Sequence, residues 1–298
     1  MSGRRFQRAC AYLAVAAALA LGMASVRLLA AERSFLWKAT NGRGSIYLVG
    51  SVHMLTRDYY PLSPALEAAF KDADLLVEEV DIGELVTPQV QLNMLTRGML
   101  PADQSLDGVL SADTFALVNR RLNGLGMPIA PLKRFKPWLL ALTLAGIEWQ
   151  QAGFDPALGL DRHFYDRAES ERKPVQALET VEFQISRFDD LTMAEQDRML
   201  AATVRQLDTQ KAAVTRLADA WRAGDLRTIE QLILEDFKQE RRLYDRLLVE
   251  RNRDWMPKIA ALFDRPGRAL VVVGAAHLAG PDGLIAALVA KGFTVEQL

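Results

Sequence analysis

Apolar residues in this chain fall into two kinds of run. Short unbroken ones lie near both ends, and between them apolar positions recur every three or four residues. Residues 35–40 and 45–50 are β-rich runs flanking Asn41-Gly42-Arg43-Gly44, a spacing that predicts a hairpin. Behind it, Pro61 and Pro64 introduce a helix over 65–72, and 73–81 reads as a mostly buried strand ending in acids. A strand, helix, strand unit of this kind implies parallel pairing.

From residue 85 to about 126 the period is helical, with Leu92, Leu95, Met99, Phe115, Val118 and Leu122 at three-to-four spacing. Residues 138–149 predict a more apolar helix, too short to span a membrane. Another helix begins at Gly159 and stops before Lys173-Pro174, and 175–180 resemble an interior strand carrying Glu179 at its end. Residues 193–221 read as one long amphipathic helical stretch, and 226–237 and 240–262 as further helices whose paired charges mark a solvated face. The chain closes on an apolar strand over 268–273, a helix to Ala290 and a last strand over 293–297. Strands at both ends with helices between predict a mixed α/β fold, a single domain over 25–298. Its central sheet is built from N- and C-terminal strand-GxxH-helix-strand units, and a large helical insertion covers about 85–265.

The phrase Gly50-Ser51-Val52-His53 ends the first apolar unit, and Gly274-Ala275-Ala276-His277 ends the last. Only three histidines occur in 298 residues, so two in one repeated context stand out. In open α/β sheets ligands collect beyond the carboxyl ends of the strands, where a residue just after a strand-ending glycine lands. Gly50 and Gly274 leave room there for a sharp turn or a close backbone approach. For either histidine alone a capping or core role is the simpler reading. The pair, with Glu78 and Glu79 ending a neighbouring strand, favours a site.

A carboxylate in that position is costly to bury unless it is paired or bound to metal. His53, His277 and one of the carboxylates Glu78 and Glu79 offer a shell for a divalent ion (Mn, Zn, Co or Fe) with open positions for water. Glu179 or the spare glutamate of the Glu78-Glu79 pair also offers proton transfer. Glu179 is balanced between a general base or supporting partner and a helix-start cap. Arg251 is either a surface residue of a charged helix or a contact for a substrate carboxylate or an oxyanion. Asp161, at a helix start, reads best as an N-cap. The sequence holds no GxSxG elbow, P-loop or dinucleotide fingerprint.

Composition adds two constraints. A net charge of −1 and a pI near 6.4 remove the electrostatic footprint of a nucleic-acid binder. The first 24 residues read as a signal peptide: Arg4, Arg5 and Arg8, an apolar core over 11–21, then the small-x-small site Gly22-Met23-Ala24. Cleavage after Ala24 leaves 298 − 24 = 274 residues and, with three arginines lost, takes the charge from −1 to −4. The alternative is an uncleaved anchor in the inner membrane, which would be the chain's only membrane contact. The single cysteine, Cys10, falls inside this segment, so the mature chain has no disulfide and no thiol nucleophile. That suits an oxidising compartment such as the periplasm.

With these phrases in place the chain resembles the TraB/PrgY/GumN family, which includes the Tiki proteins, and is most similar to its GumN-like branch. The resemblance rests on Leu36-Trp37-Lys38, residues 47–53, Ala73-Asp74 with Val77 and Glu79, Gly159-Leu160-Asp161, and Leu178-Glu179-Thr180. It continues through Ala220-Trp221 with Gly224-Asp225, Arg251-Asn252, and residues 274–278 with Gly280. It implies a mixed α/β fold with two GxxH motifs, His53, Glu79 and His277 as metal ligands, and Arg251 as a substrate or transition-state contact. Tiki members resemble metal-dependent proteases, which implies an exported metal-dependent hydrolase, a peptidase acting on peptides or a protein terminus. Pheromone-shutdown members act on or sequester small peptides, so the alternative is a non-catalytic peptide- or ligand-binding protein of the envelope.

Overall fold

Asn41-Gly42 makes the turn that its chemistry favours. Gly42 sits at φ 80°, the Asn41 side chain accepts the backbone N–H groups of Arg43 and Gly44, and β1 (Leu36–Thr40) folds antiparallel onto β2 (Ser45–Ser51). The computed structural model describes residues 33–207, 210–237 and 240–298; the predicted signal segment with Cys10 lies outside them. Ser34–Leu298 forms one compact unit.

The sheet is mixed and six-stranded, in the order β4-β3-β5-β2-β1-β6. β2, β5 (Ala269–Gly274), β3 (Leu75–Glu78) and β4 (Val175–Ala177) run parallel, and β6 (Thr294–Gln297) closes the far edge antiparallel to β1. The two GxxH strands are therefore neighbours, with Gly50 opposite Val273 and Ser51 opposite Gly274. Every residue of β5 is buried, as an unbroken apolar strand covered on both faces requires. The fold is mixed α/β, with the two chain ends sharing one sheet.

Two cores stabilise it. One wraps the sheet, filled by Phe70, Phe164, Trp221 and Trp255. The other lies among the helices, around Trp138, Leu140, Leu144, Leu200 and Val204. Residues 193–221, expected as one long helical stretch, are helical over Met193–Leu207 and Gln210–Arg222, and the two segments serve different cores. Leu200, Val204 and Leu207 enter the helical core while Val214, Ala218 and Trp221 enter the sheet core. Both segments follow one apolar period, so period alone does not reveal that they face different neighbours. The stretch 240–262 is helical as expected, running through Arg241–Tyr244, a π-helical segment Asp245–Val249 and Glu250–Ala261. β4, expected inside the sheet, is a three-residue edge strand with Gln176 exposed; among the described residues β3 is its only neighbour. Among the described residues no helix is long and apolar enough to cross a membrane.

Trp221 ties the helical layer to the first GxxH strand. Its buried indole N–H donates to the Gly50 carbonyl at 2.7 Å. Trp221→Phe keeps most of the ring surface but leaves that carbonyl without its donor, so urea unfolding is expected to show a loss of about 1–3 kcal/mol.

Candidate functional site

Four parallel strands end at one edge and deliver the candidate residues there. His53 follows β2, Glu79 follows β3, Glu179 follows β4, and His277 follows β5 within the short helix Ala275–Leu278. Pairing continues just past β3 and β4: Leu178 N–H donates to the Glu78 carbonyl at 2.8 Å and Glu179 N–H to the Glu79 carbonyl at 2.9 Å. Arg251 arrives from outside the sheet, in the first turn of helix Glu250–Ala261. The π-helical segment leading into it has a wide turn of the kind often found at functional sites, and Arg251 Nη1 donates to the Leu247 carbonyl within that segment at 3.2 Å.

Arg251 is 7 % exposed and uses all five of its N–H groups. Nε donates to both oxygens of Glu179 at 3.0 and 3.2 Å, and Nη2 donates to Glu79 Oε2 at 2.5 Å and Glu179 Oε1 at 2.7 Å. Nη1 serves Leu247 and, at 3.0 Å, His277 Nε2. Trp255, one turn along the helix, lies 4.6 Å from the guanidinium and donates its indole N–H to Glu179 Oε2 at 2.9 Å. Gln184 bridges Glu79 and Glu179 at 3.1 and 3.3 Å, and Gly274 N–H donates to Glu79 Oε1 at 2.7 Å.

Charge follows from these contacts. Burial works to raise Glu79, but Arg251, the two histidines and the Gly274 N–H outweigh it and bring the carboxyl down to about 2. For Glu179 burial prevails and pushes the group up against Arg251 and Trp255. Burial lowers His277 to about 3, so its ring is neutral. Because Arg251 donates to Nε2, the His277 proton sits on Nδ1, which donates to Asn252 Oδ1 at 2.7 Å. His53 differs: its side chain is 62 % exposed, and Asp161, 3.2 Å from Nδ1, raises it to about 9.

The side chains converge over Gly274. A Cβ placed there would lie 3.2 Å from Glu79 Oε1, 3.4 Å from His53 Nε2 and 3.7 Å from His277 Cδ2. Both imidazoles also have the acceptor on Nδ1 that metal-binding histidines need, Asp161 for one and Asn252 for the other. The donor types therefore fit a divalent ion. Two donors face the common point, while the lone pair of the third, His277 Nε2, is held by Arg251. Among the described residues, no three His, Cys, Asp or Glu side chains already stand in ion-holding geometry. A cavity of about 690 Å³ opens over this edge, lined by His53, Glu78, Glu79, Asp161 and Gly274 together with apolar side chains.

His53, Glu79, Glu179, Arg251 and His277 thus come together. Asp161 joins them through His53 instead of capping its helix, which corrects the N-cap expectation. Gly159 takes the cap position, and any side chain there would collide with the His53 carbonyl, 2.2 Å from the would-be Cβ. The cap after β4 is Thr180, which leaves Glu179 for Arg251. Glu78 stands apart from the cluster: it is buried, neither of its oxygens has a hydrogen-bond partner among the described residues, and burial followed by Asp161, Asp81, Glu79 and Asp166 raises it to about 9. Sequence reasoning assigned no role to Asn252, Trp255 or Gln184. The first two share a helix with Arg251, Trp255 at the i+4 spacing that puts it on the same face; Gln184 carries no such signal.

Comparison with known proteins agrees with this arrangement of motifs. Two relatives are the uncharacterized protein YbaP of Escherichia coli (strain K12) and that of Shigella flexneri. Each is 28% identical over 257 residues, covering 84% of this chain and 91% of the relative. No solved structure matches. The TraB/PrgY/gumN family profile matches residues 35–297, both GxxH strands and every clustered residue included, and the chain belongs to that family.

Proposed function

We propose that this protein is a hydrolase of peptides, exported to the periplasm through the segment ending at Ala24, and that a divalent ion works with His53, Glu79 and His277. The observation that carries the proposal is the convergence over Gly274, where Glu79 Oε1 and His53 Nε2 lie 3.2 and 3.4 Å from the position of a would-be Cβ, at the lining of a cavity of about 690 Å³. That volume is within the ordinary range of ligand sites. A bound ion supplies a polarised carbonyl and an acidified water. The chain's own groups supply orientation and charge. Asp161 fixes the His53 ring through Nδ1, and Asn252 does the same for His277. Arg251 locks Glu79 Oε2 and places a fixed positive charge beside the point where a carbonyl oxygen becomes negative, which costs no reorganisation during reaction. Glu179 has both oxygens engaged by Arg251 and Trp255, so its part is to position the arginine.

One observation favours a second reading, a binding protein without turnover. Arg251 already supplies a cation to His277 Nε2 and Glu79 Oε2, the charge that an ion would otherwise bring. Metal analysis of purified protein, followed by digestion of a peptide library, separates the two. The hydrolase reading expects about one ion per chain and cleavage that disappears in the His53→Ala/His277→Ala double variant. Peptides bound but uncleaved, with no ion at stoichiometry, would support the binder.

A further inference from the structure

Four carboxyl side chains line the cavity: Glu78, Glu79, Asp161 and Asp166. Three of them have a cationic partner within the protein. Glu79 has Arg251 at 2.5 Å, Asp161 has His53 at 3.2 Å, and Asp166 has Arg162 at 2.8 Å. Glu78 has none among the described residues: it is 1 % exposed and both oxygens lack any hydrogen-bond partner there, although it lines the same cavity. Burying a carboxyl without a partner is expensive, and natural folds rarely keep one unless something else satisfies it. The charged groups that bear on it most are themselves acids, Asp161, Asp81, Glu79 and Asp166, so a cation is the partner that would satisfy it.

We propose that Glu78 is the binding point for a primary ammonium group on the ligand, so that the cavity takes peptides bearing a free amino terminus or a lysine side chain. The proposal rests on reading the cavity as a peptide cleft. The surroundings select among cations. Ile82, Leu85 and Val86 line the cavity near this part of the chain, and a guanidinium set on one carboxyl among apolar side chains would leave several N–H groups unsatisfied. A compact ammonium has three donors for the two free oxygens and the small remaining polar surface. A calcium or magnesium ion would want six or more oxygen ligands, and Glu78 offers two.

Equilibrium binding to wild-type protein and to Glu78→Gln tests this with three hexapeptide pools of matched random composition. One pool is lysine-free with free amino termini, one has acetylated termini and contains lysine, and one is acetylated and lysine-free. At least one amine-bearing pool is expected to bind wild type about ten-fold or more tightly than the fully acetylated pool, as a charge-assisted bond requires. Which pool binds tells terminal from side-chain amines. In Glu78→Gln that preference is expected to shrink to within about two-fold, while binding of the acetylated pool is unchanged. Removing a lone buried carboxyl should leave the melting temperature no lower than wild type, so a lost preference is not a lost fold. Equal binding of all three pools by wild type, absence of binding by every pool, or a preference that survives in Glu78→Gln overturns the proposal. Binding is read without turnover: a missing amine preference sinks this inference alone, whereas an intact preference without cleavage sinks the hydrolase reading alone.

Discussion

Arg251→Met is expected to cost about 3–5 kcal/mol of folding stability, read as a fall in the urea midpoint at constant slope. Methionine fills much of the same volume, so the loss reports charge and hydrogen bonding more than a cavity. Glu79 and Glu179 are both buried, and the guanidinium is the cation that holds them there. Without it Glu79 keeps only the N–H groups of Gly274 and Gln184, and His277 Nε2 loses its donor. Arg251→Lys is expected to recover only part of the loss. An ammonium has three N–H donors and no planar fork, whereas Glu79, Glu179, His277 and Leu247 use five. Adding Glu179→Gln to Arg251→Met should restore about 1 kcal/mol or more, because an uncompensated buried charge goes with it. A loss below about 1 kcal/mol for Arg251→Met would mean that the cluster does not form as described.

The sheet was readable because its strands are unbroken apolar runs bounded by Asn-Gly, Gly and Pro, and these signals are local. The strand ends were readable for the same reason, so His53, Glu79 and His277 could be placed at one edge before their distances were known. What lay beyond the sequence was the partnership of residues that meet only in the fold. Arg251 sits in a run of Arg, Glu and Asp that looks like a solvated helix, and only packing of Trp255 and Ile259 against the sheet turns it inward. Asp161 follows a glycine at a helix start, where local preference suggests a cap. Its actual partner, His53, is 108 residues away. Gln184 bridges two glutamates through a long-range contact that no spacing encodes. That 193–207 and 210–221 bury one shared apolar period in different cores was hidden for the same reason.

The two glycines of the GxxH phrases look equivalent in sequence, yet alanine is expected to have opposite effects at them. At Gly50 the added methyl would lie 2.3 Å from the Phe35 ring and 3.0 Å from the Ala275 backbone. Phe35 is fully buried and cannot swing aside, so Gly50→Ala should lower stability by about 2–3 kcal/mol through overpacking. At Gly274 the backbone angles, φ −49° and ψ 137°, are open to any residue. The methyl would meet only side-chain atoms, at 3.2 Å or beyond, so stability should change by less than about 1 kcal/mol. Those atoms are Glu79 Oε1, His53 Nε2 and His277 Cδ2, and the methyl would occupy the space on which they converge. Ion uptake and peptide cleavage by Gly274→Ala are therefore expected to fall about 100-fold, the penalty that an ångström of misplacement typically brings at a reacting centre. Thermal melts and cleavage assays on the same two preparations check both halves of the contrast. A Gly274→Ala protein that folds and keeps full activity would show that the chemistry happens somewhere other than over this glycine.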